Sequence, residues 1–199
     1  MSKSCQLENS QVQSSFALKI RIAQPRDLKE LVEVLSRSFY PSQTTMLGIQ
    51  PLLRLGITED IRGRIRSEKP NYRCLVAFTT PTTFPNTPRT LVGTVELALR
   101  NQVMAKQIPY ISNLAVIPEY RRQGIARQLL LRCERIAREW GFKELSLHVL
   151  ENNLAAQQLY FSNGYKLQKI EHSLSSWLFK QPKRLFLAKE IENLEQCCD

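Results

Sequence analysis

The stretch from Tyr110 to Ile170 constrains the fold more than any other part of the chain. Tyr110-Ile111-Ser112-Asn113-Leu114-Ala115-Val116 reads as a strand ended by Pro118. Gln123 to Trp140 reads as a helix: Ile125, Leu129, Cys133, Ile136, Ala137 and Trp140 recur at steps of three and four and form one apolar stripe. Glu134 and Arg138 are spaced to pair across one turn of it, and Gly141 stands where a left-handed cap ends a helix. Glu144 to Leu150 is a second strand, with Leu145, Leu147 and Val149 on one face and Ser146 and His148 on the other. A short helix over Asn153 to Ser162, an Asn163-Gly164 turn and a strand over Tyr165 to Ile170 complete the run. Strands alternating with helices imply parallel pairing through right-handed crossovers.

The flanks add strands of another kind. Leu18 to Ile22 alternates apolar and charged residues, as a half-buried strand does. Pro25-Arg26-Asp27 opens a helix with Leu28, Leu31, Val32 and Leu35 on one face, and Glu33 and Arg37 fall four apart on it. Met46 to Ser67 is helical in character but carries Gly48, Pro51, Gly56 and Gly63, and is expected to be interrupted. Cys74 to Phe78 and Leu91 to Leu99 are strands joined across a proline-containing loop, Thr79 to Thr90, which suggests a hairpin. Arg184 to Ala188 is a final strand. The fold class is therefore α/β with a mixed sheet flanked by helices. The expected organisation is a flexible tail over 1–15, one domain over 16–190 and a C-terminal tail over 191–199.

Length and composition exclude several classes. A chain of 199 residues, 43% hydrophobic and 23% charged, supports one packed domain. No uncharged apolar run reaches the ~18 residues of a membrane helix. Residues 1–15 are polar and lack a secretory core, and few basic residues precede Phe16 to make a transit segment. Cys5, Cys74, Cys133, Cys197 and Cys198 show no metal spacing and read as reduced thiols, which fits a cytoplasmic location. The histidines are His148 and His172, with no cysteine cluster beside them, so no metal site is expected. A net charge of +10 favours anionic partners without choosing among them.

The chemistry-bearing feature is the turn between the Tyr110 strand and the long helix. Arg121-Arg122-Gln123-Gly124-Ile125-Ala126-Arg127 places small residues at a helix start among arginines. The first N–H groups of a helix lack internal acceptors, and the helix dipole adds about half a positive charge there. A diphosphate can approach such a turn closely. The chain contains neither the Walker lysine loop nor a Gly-x-Gly-x-x-Gly turn, so nucleoside triphosphatase and dinucleotide readings lack their residues. It also lacks the Gly-x-Ser-x-Gly elbow of serine hydrolases.

Residues Arg121 to Ala126 match the (Arg or Gln)-x-x-Gly-x-(Gly or Ala) signature of the GNAT superfamily of N-acetyltransferases. Asn153, Ala156, Tyr160, Gly164 and Tyr165 are similar to its second signature, in the normal order and spacing. The strong resemblance covers residues ~91 to ~170 of the family pattern. It implies a splayed mixed sheet with acetyl-coenzyme A between the Tyr110 and Leu145 strands. In that fold the backbone of Leu114, Ala115 and Val116 would meet the pantetheine arm. Arg121, Arg122, Gln123, Gly124, Ile125, Ala126 and Arg127 would hold the pyrophosphate. Asn153 would contact the pantetheine or the reactive end, and Tyr160 would protonate the departing thiolate. Within the superfamily the chain most resembles protein N-terminal and lysine acetyltransferases of the plastid and cyanobacterial type.

An amine must be unprotonated to attack a thioester, and its proton needs a base. His148, with an ordinary pKa near 6.5, suits that task; the resemblance implies that Tyr110 assists and that Glu96, mid-strand, is a rival base. The expected partner is a protein or peptide amine, without membrane or nucleic acid, acted on by a monomer or homodimer. Two alternatives stand beside it. One is acetylation of a small amine or polyamine, against which the positive charge weighs. The other is a basic acetyl-coenzyme A-binding module that docks on nucleic acid without turnover. The aromatic residues expected among the basic ones of a single-strand binder are missing.

Overall fold

The computed structural model describes residues 16–39, 50–67, 69–81, 89–101, 107–171 and 182–191. Its elements in chain order are β1 (Phe16–Ile22), a 3-10 turn (Pro25–Asp27), α1 (Leu28–Phe39), α2 (Gln50–Arg66), β2 (Tyr72–Pro81), β3 (Thr90–Asn101), β4 (Gln107–Val116), α3 (Ile125–Glu139), β5 (Glu144–Leu150), α4 (Leu154–Ser162), β6 (Lys166–Glu171) and β7 (Arg184–Glu190). The seven strands form one mixed sheet in the order β1-β2-β3-β4-β5-β7-β6. Strands β1 to β4 pair antiparallel in succession, β4 and β5 pair in parallel, and β7 runs antiparallel between β5 and β6.

Two expectations about this sheet are corrected. β5 and β6 run in the same direction but do not pair, because β7 inserts between them. α2 is one uninterrupted helix through Gly56 and Gly63, where breaks were expected. Isolated glycines cost a helix about 1 kcal/mol each without ending it, and proline is accepted in a first turn, where Pro51 sits. Residues 46–49, His172, Cys5, Cys197 and Cys198 lie outside the described residues.

Helices cover both faces of the sheet. The α3 stripe is real: Ile125, Leu129, Leu130, Cys133, Ile136 and Ala137 are buried. Each large apolar side chain among them contributes about 1.5–3 kcal/mol of transfer free energy. Glu134, also on α3, is buried and ion-pairs with Lys189 Nζ at 2.7 Å, not with Arg138 as the spacing predicted. Arg138 instead donates to the Glu134 carbonyl at 3.4 Å. Lys189 is the register partner of Leu145, so α3 lies on the Leu145 and Leu147 face. Arg64 of α2 ion-pairs with buried Glu96 and ties α2 to the opposite face.

At the β1 end, Arg21 grips Asp27 through two hydrogen bonds of 2.6 and 2.7 Å. The Asp27 carboxylate also accepts the Gln24 N–H at 2.7 Å, fixing the entry to α1. Arg37 at the far end of α1 pairs with Glu119 beside the turn into α3. Ile191, past β7, is buried and its N–H donates to the Lys143 carbonyl at 2.9 Å.

Candidate active site

The site grows out of an irregularity in β4. Thr94 faces Ala115 and Glu96 faces Ser112, so Asn113 and Leu114 together oppose the single residue Val95. This is a β-bulge, and Asn113 accommodates it with φ of 51°, a left-handed conformation that asparagine tolerates better than most residues. Its side chain secures the kink: Asn113 Nδ2 donates to Glu96 Oε1 at 2.8 Å. A bulged strand bends, and here the bend opens the sheet. β4 and β5 pair only at Tyr110–Ser146 and Ile111–Leu147, then diverge. Ser146 Oγ donates to the Pro109 carbonyl at 3.1 Å and clasps the closed end of the fork.

The open side presents backbone that β5 does not pair. The Ile117 N–H donates to Val92 on β3 at 2.9 Å. Backbone direction alternates along a strand, so Ala115 also faces β3 while Leu114 and Val116 face the gap. The Val116 carbonyl accepts from Arg121 Nε at 2.9 Å on that side. Gly93 lets β3, β4 and α3 approach closely: a Cβ there would stand 3.0 Å from the Ala115 carbonyl oxygen.

The turn into α3 holds two left-handed residues, Arg122 at φ 63° and Gly124 at φ 79°. The first intrahelical bond runs from Gln128 N–H to the Gly124 carbonyl at 3.0 Å. The N–H groups of Ile125, Ala126 and Arg127 therefore have no acceptor within the helix. A Cβ built at Gly124 would meet no atom within 4 Å, so the turn is open at that position. Arg121, Arg122, Gln123 and Arg127 are exposed around it. Gln123 Nε2 donates to the Glu119 carbonyl at 3.2 Å, and Arg122 approaches Gln158 of α4 at 3.5 Å.

Tyr110 and His148 meet at the fork itself. Tyr110 Oη and His148 Nδ1 lie 2.9 Å apart, joining a paired residue of β4 to the first residue of β5 past the pairing. Tyr110 is buried, and Arg100 of β3 stacks 3.7 Å from its ring centroid. Phe186 of β7 packs on the imidazole at 5.0 Å. Burial draws the His148 pKa below its ordinary value, and Arg184 and Arg100 act the same way, while contact with Glu171 opposes them. His148 is thus a neutral imidazole near pH 7.

Tyr160, on α4, is buried, and its ring packs edge-on to Tyr165 at 5.7 Å. Burial, reinforced by the nearby Tyr110 phenol, pushes its pKa up to about 12. It keeps its proton at any working pH and can give it to a stronger base. Asn153 serves locally as the α4 N-cap, its Oδ1 accepting the Ala156 N–H at 3.2 Å.

Glu96 occupies a different environment. Its oxygens are engaged by Asn113 at 2.8 Å and by Arg64 at 3.0 Å, and it is 2% exposed. Tyr110 and His148 contact each other, while Glu96 contacts Asn113 of the bulge and Arg64 of α2. Glu171, absent from the sequence expectations, lies 3.1 Å from His148 Nε2. Nothing local marks it, since it ends an ordinary exposed strand. Cys74 and Cys133 are buried free thiols, and burial raises Cys74 to about 12, so neither offers a thiolate for an acyl-enzyme route.

These residues fit acetyl-coenzyme A: open backbone along one side of a fork, an open glycine turn at a helix N-terminus, and a protonated tyrosine in α4, the helix that follows β5. A mixed sheet split in this way matches the splayed sheet that the sequence resemblance implies. The sequence profile of the acetyltransferase (GNAT) family matches residues 30–165, and the chain belongs to that family. It is 41% identical over 76 residues to GCN5-related N-acetyltransferase 4, chloroplastic, of Arabidopsis thaliana, covering 38% of this chain and 25% of that protein. GCN5-related N-acetyltransferase 10, chloroplastic, of the same plant is 28% identical over 136 residues, covering 64% and 53%. The chain therefore spans about half or less of the length of these relatives. The fold is shared with PaiA N-acetyltransferase from Thermoplasma acidophilum, whose crystal structure is a complex with coenzyme A. The TM-score is 0.64 at 24% identity, over 87% of this chain and 99% of that one. Among the described residues no helix is long and apolar enough to cross a membrane.

Proposed function

We propose that this chain transfers the acetyl group of acetyl-coenzyme A to a primary amine of a protein or peptide, an N-terminal α-amine, a lysine ε-amine or both. The observation that carries the reading is the Tyr110–His148 pair at the mouth of the β4/β5 fork. When bound, acetyl-coenzyme A supplies the activated acetyl carbonyl. Leu114 and Val116 would align its pantetheine arm, and Ala115 would hold the strand to β3. Gln123, Gly124, Ile125 and Ala126, with Arg121, Arg122 and Arg127, would receive its diphosphate. Asn153 would stand beside the arm as well as capping α4. Tyr110 and neutral His148 take the amine proton, and Tyr160 returns one to sulfur. Holding amine and thioester in register supplies much of the acceleration.

The charge around the proton acceptor favours protein amines over polyamines. Arg100 covers Tyr110, and Arg184 lowers the His148 pKa, so a polycation would meet like charge at the reacting end. Of the described carboxylates nearby, Glu96 is already paired with Arg64 and Glu171 faces His148 Nε2. The same reading has the domain acting as a monomer or homodimer. Location belongs to it too: the sequence expectation is cytoplasmic, the plant relatives are named chloroplastic, and imaging of a C-terminally tagged chain decides between them.

The test is incubation of the purified protein with acetyl-coenzyme A and a peptide library, read by mass spectrometry beside a panel of small amines. Acetylated peptides with sequence preference support the proposal. Turnover confined to polyamines, or thiol release with no amine at all, overturns it.

A further inference from the structure

His148 Nε2 is shut off from solvent and makes no aligned hydrogen bond among the described residues. The group facing it is the Glu171 carboxylate, 3.1 Å away. Glu171 belongs to β6, which is not adjacent to β5. Its register partner is Arg184, and Phe186, two residues on in β7, is the register partner of His148. Glu171 therefore reaches diagonally across β7, on the face that carries Tyr110, Ser146 and His148.

That position decides where the imidazole proton resides. A neutral histidine carries one N–H and one lone pair. A lone pair on Nε2 would point at carboxylate oxygen, lone pair against negative charge. A proton on Nε2 meets that charge favourably. Nδ1 is then the acceptor, and its partner at 2.9 Å is the Tyr110 hydroxyl, which must donate. The direction of the chain of contacts follows: Tyr110 O–H to Nδ1, Nε2–H toward Glu171.

We propose that Glu171 is a positioning residue that completes a Tyr110–His148–Glu171 proton relay, with Tyr110 rather than His148 as the group that meets the amine. The assignment rests on the amine acetylation proposed above. As the amine nitrogen bonds to carbon, its proton passes to Tyr110 Oη and the Tyr110 proton passes to His148 Nδ1. The imidazolium so formed carries N–H on both nitrogens, with Nε2–H against the Glu171 carboxylate, and afterwards loses one proton to solvent. Glu171 acts through His148 and touches no substrate. The other groups facing the imidazole are Phe186 and Arg184 from β7, and Arg100 from β3 above the Tyr110 ring. Both arginines disfavour imidazolium, so among the described residues the carboxylate is the one facing charge that favours it.

The experiment reads the imidazole directly. The chain has two histidines, so nitrogen-15 spectra of the labelled full chain are simple, and the signal lost in His148→Gln identifies His148. The expected result is the Nε2–H tautomer at pH 7.5, and a titration midpoint that falls by about half a unit or more in Glu171→Gln and by less in Glu171→Asp. The same variant should lower kcat by about tenfold or more while the KM for acetyl-coenzyme A stays within about twofold. A wild-type Nδ1–H tautomer, or a His148 midpoint unmoved by Glu171→Gln, overturns the relay. The spectra need no turnover. An absence of acetylation by the wild-type chain would therefore sink the proposed activity and leave the relay's tautomer and titration arm to be judged on its own.

Discussion

Tyr110 Oη sits 2.9 Å from His148 Nδ1, and the two side chains come from the strands whose pairing has just ended. The contact spans the fork at its root. Burial, Arg184 and Arg100 keep the imidazole neutral against the pull of Glu171. Position and protonation state thus both support the proposed task, the removal of a proton.

The pH profile should report this. The folded His148 pKa lies below its ordinary 6.5, so the acidic limb of kcat/KM should have its midpoint below pH 6.5. The sign is that of a base: activity is full above the midpoint and lost as the imidazole charges. His148→Gln should flatten that limb and lower kcat by about 10²-fold. A limb flattened by Glu96→Gln instead would assign the base to the carboxylate.

Replacing Tyr160 by phenylalanine removes a proton donor and little packing. Turnover should fall by about 10²-fold or more. The coenzyme A affinity measured by calorimetry should stay within about twofold, since one hydroxyl is lost away from the diphosphate turn. Unchanged turnover would remove Tyr160 from its role.

Gly124 combines φ of 79° with open space above it. Gly124→Val should strain the turn by about 1–2 kcal/mol and put methyl groups where the diphosphate approaches. Coenzyme A affinity should drop by about tenfold or more, a loss of ~1.4 kcal/mol, with only a modest fall in melting temperature. A variant that binds coenzyme A normally would place the diphosphate elsewhere.

Asp27 tests stability apart from chemistry. Burial alone would raise its pKa, but the hydrogen bonds from Arg21 and the Gln24 N–H outweigh it and hold the carboxyl below its ordinary 3.8. Its contribution is therefore complete above that value and is lost as pH falls through the folded pKa. Asp27→Asn should destabilise by about 2 kcal/mol near neutrality, less than for a fully buried pair because Arg21 is partly exposed. The difference from wild type in urea melts should shrink in strong acid.

How much of this was legible in the sequence depends on range. α3 and β5 are periodic over whole elements, and local pattern decides them. The glycine turn was legible because a helix start has its own chemistry. The insertion of β7 between β5 and β6 was not, since strand order depends on contacts between distant segments. Glu134 was assigned to Arg138, its neighbour by spacing, yet a burial-driven partner, Lys189, lies 55 residues away. Glu171 escaped for the same reason, as its meaning arises only when β6 folds alongside β7. Glu96 was read as a rival base from its place mid-strand. Its engagement by Asn113 and Arg64 needed the bulge to be seen.

Asn113 and Arg64 hold the two oxygens of one carboxylate. The first holds the bulge beside the β4/β5 fork, and the second moors α2 to the face that carries Tyr110 and His148. Neither wall can shift without tugging the other through Glu96. Loading of one substrate should therefore alter the grip on its companion, and by an equal factor in either order of addition.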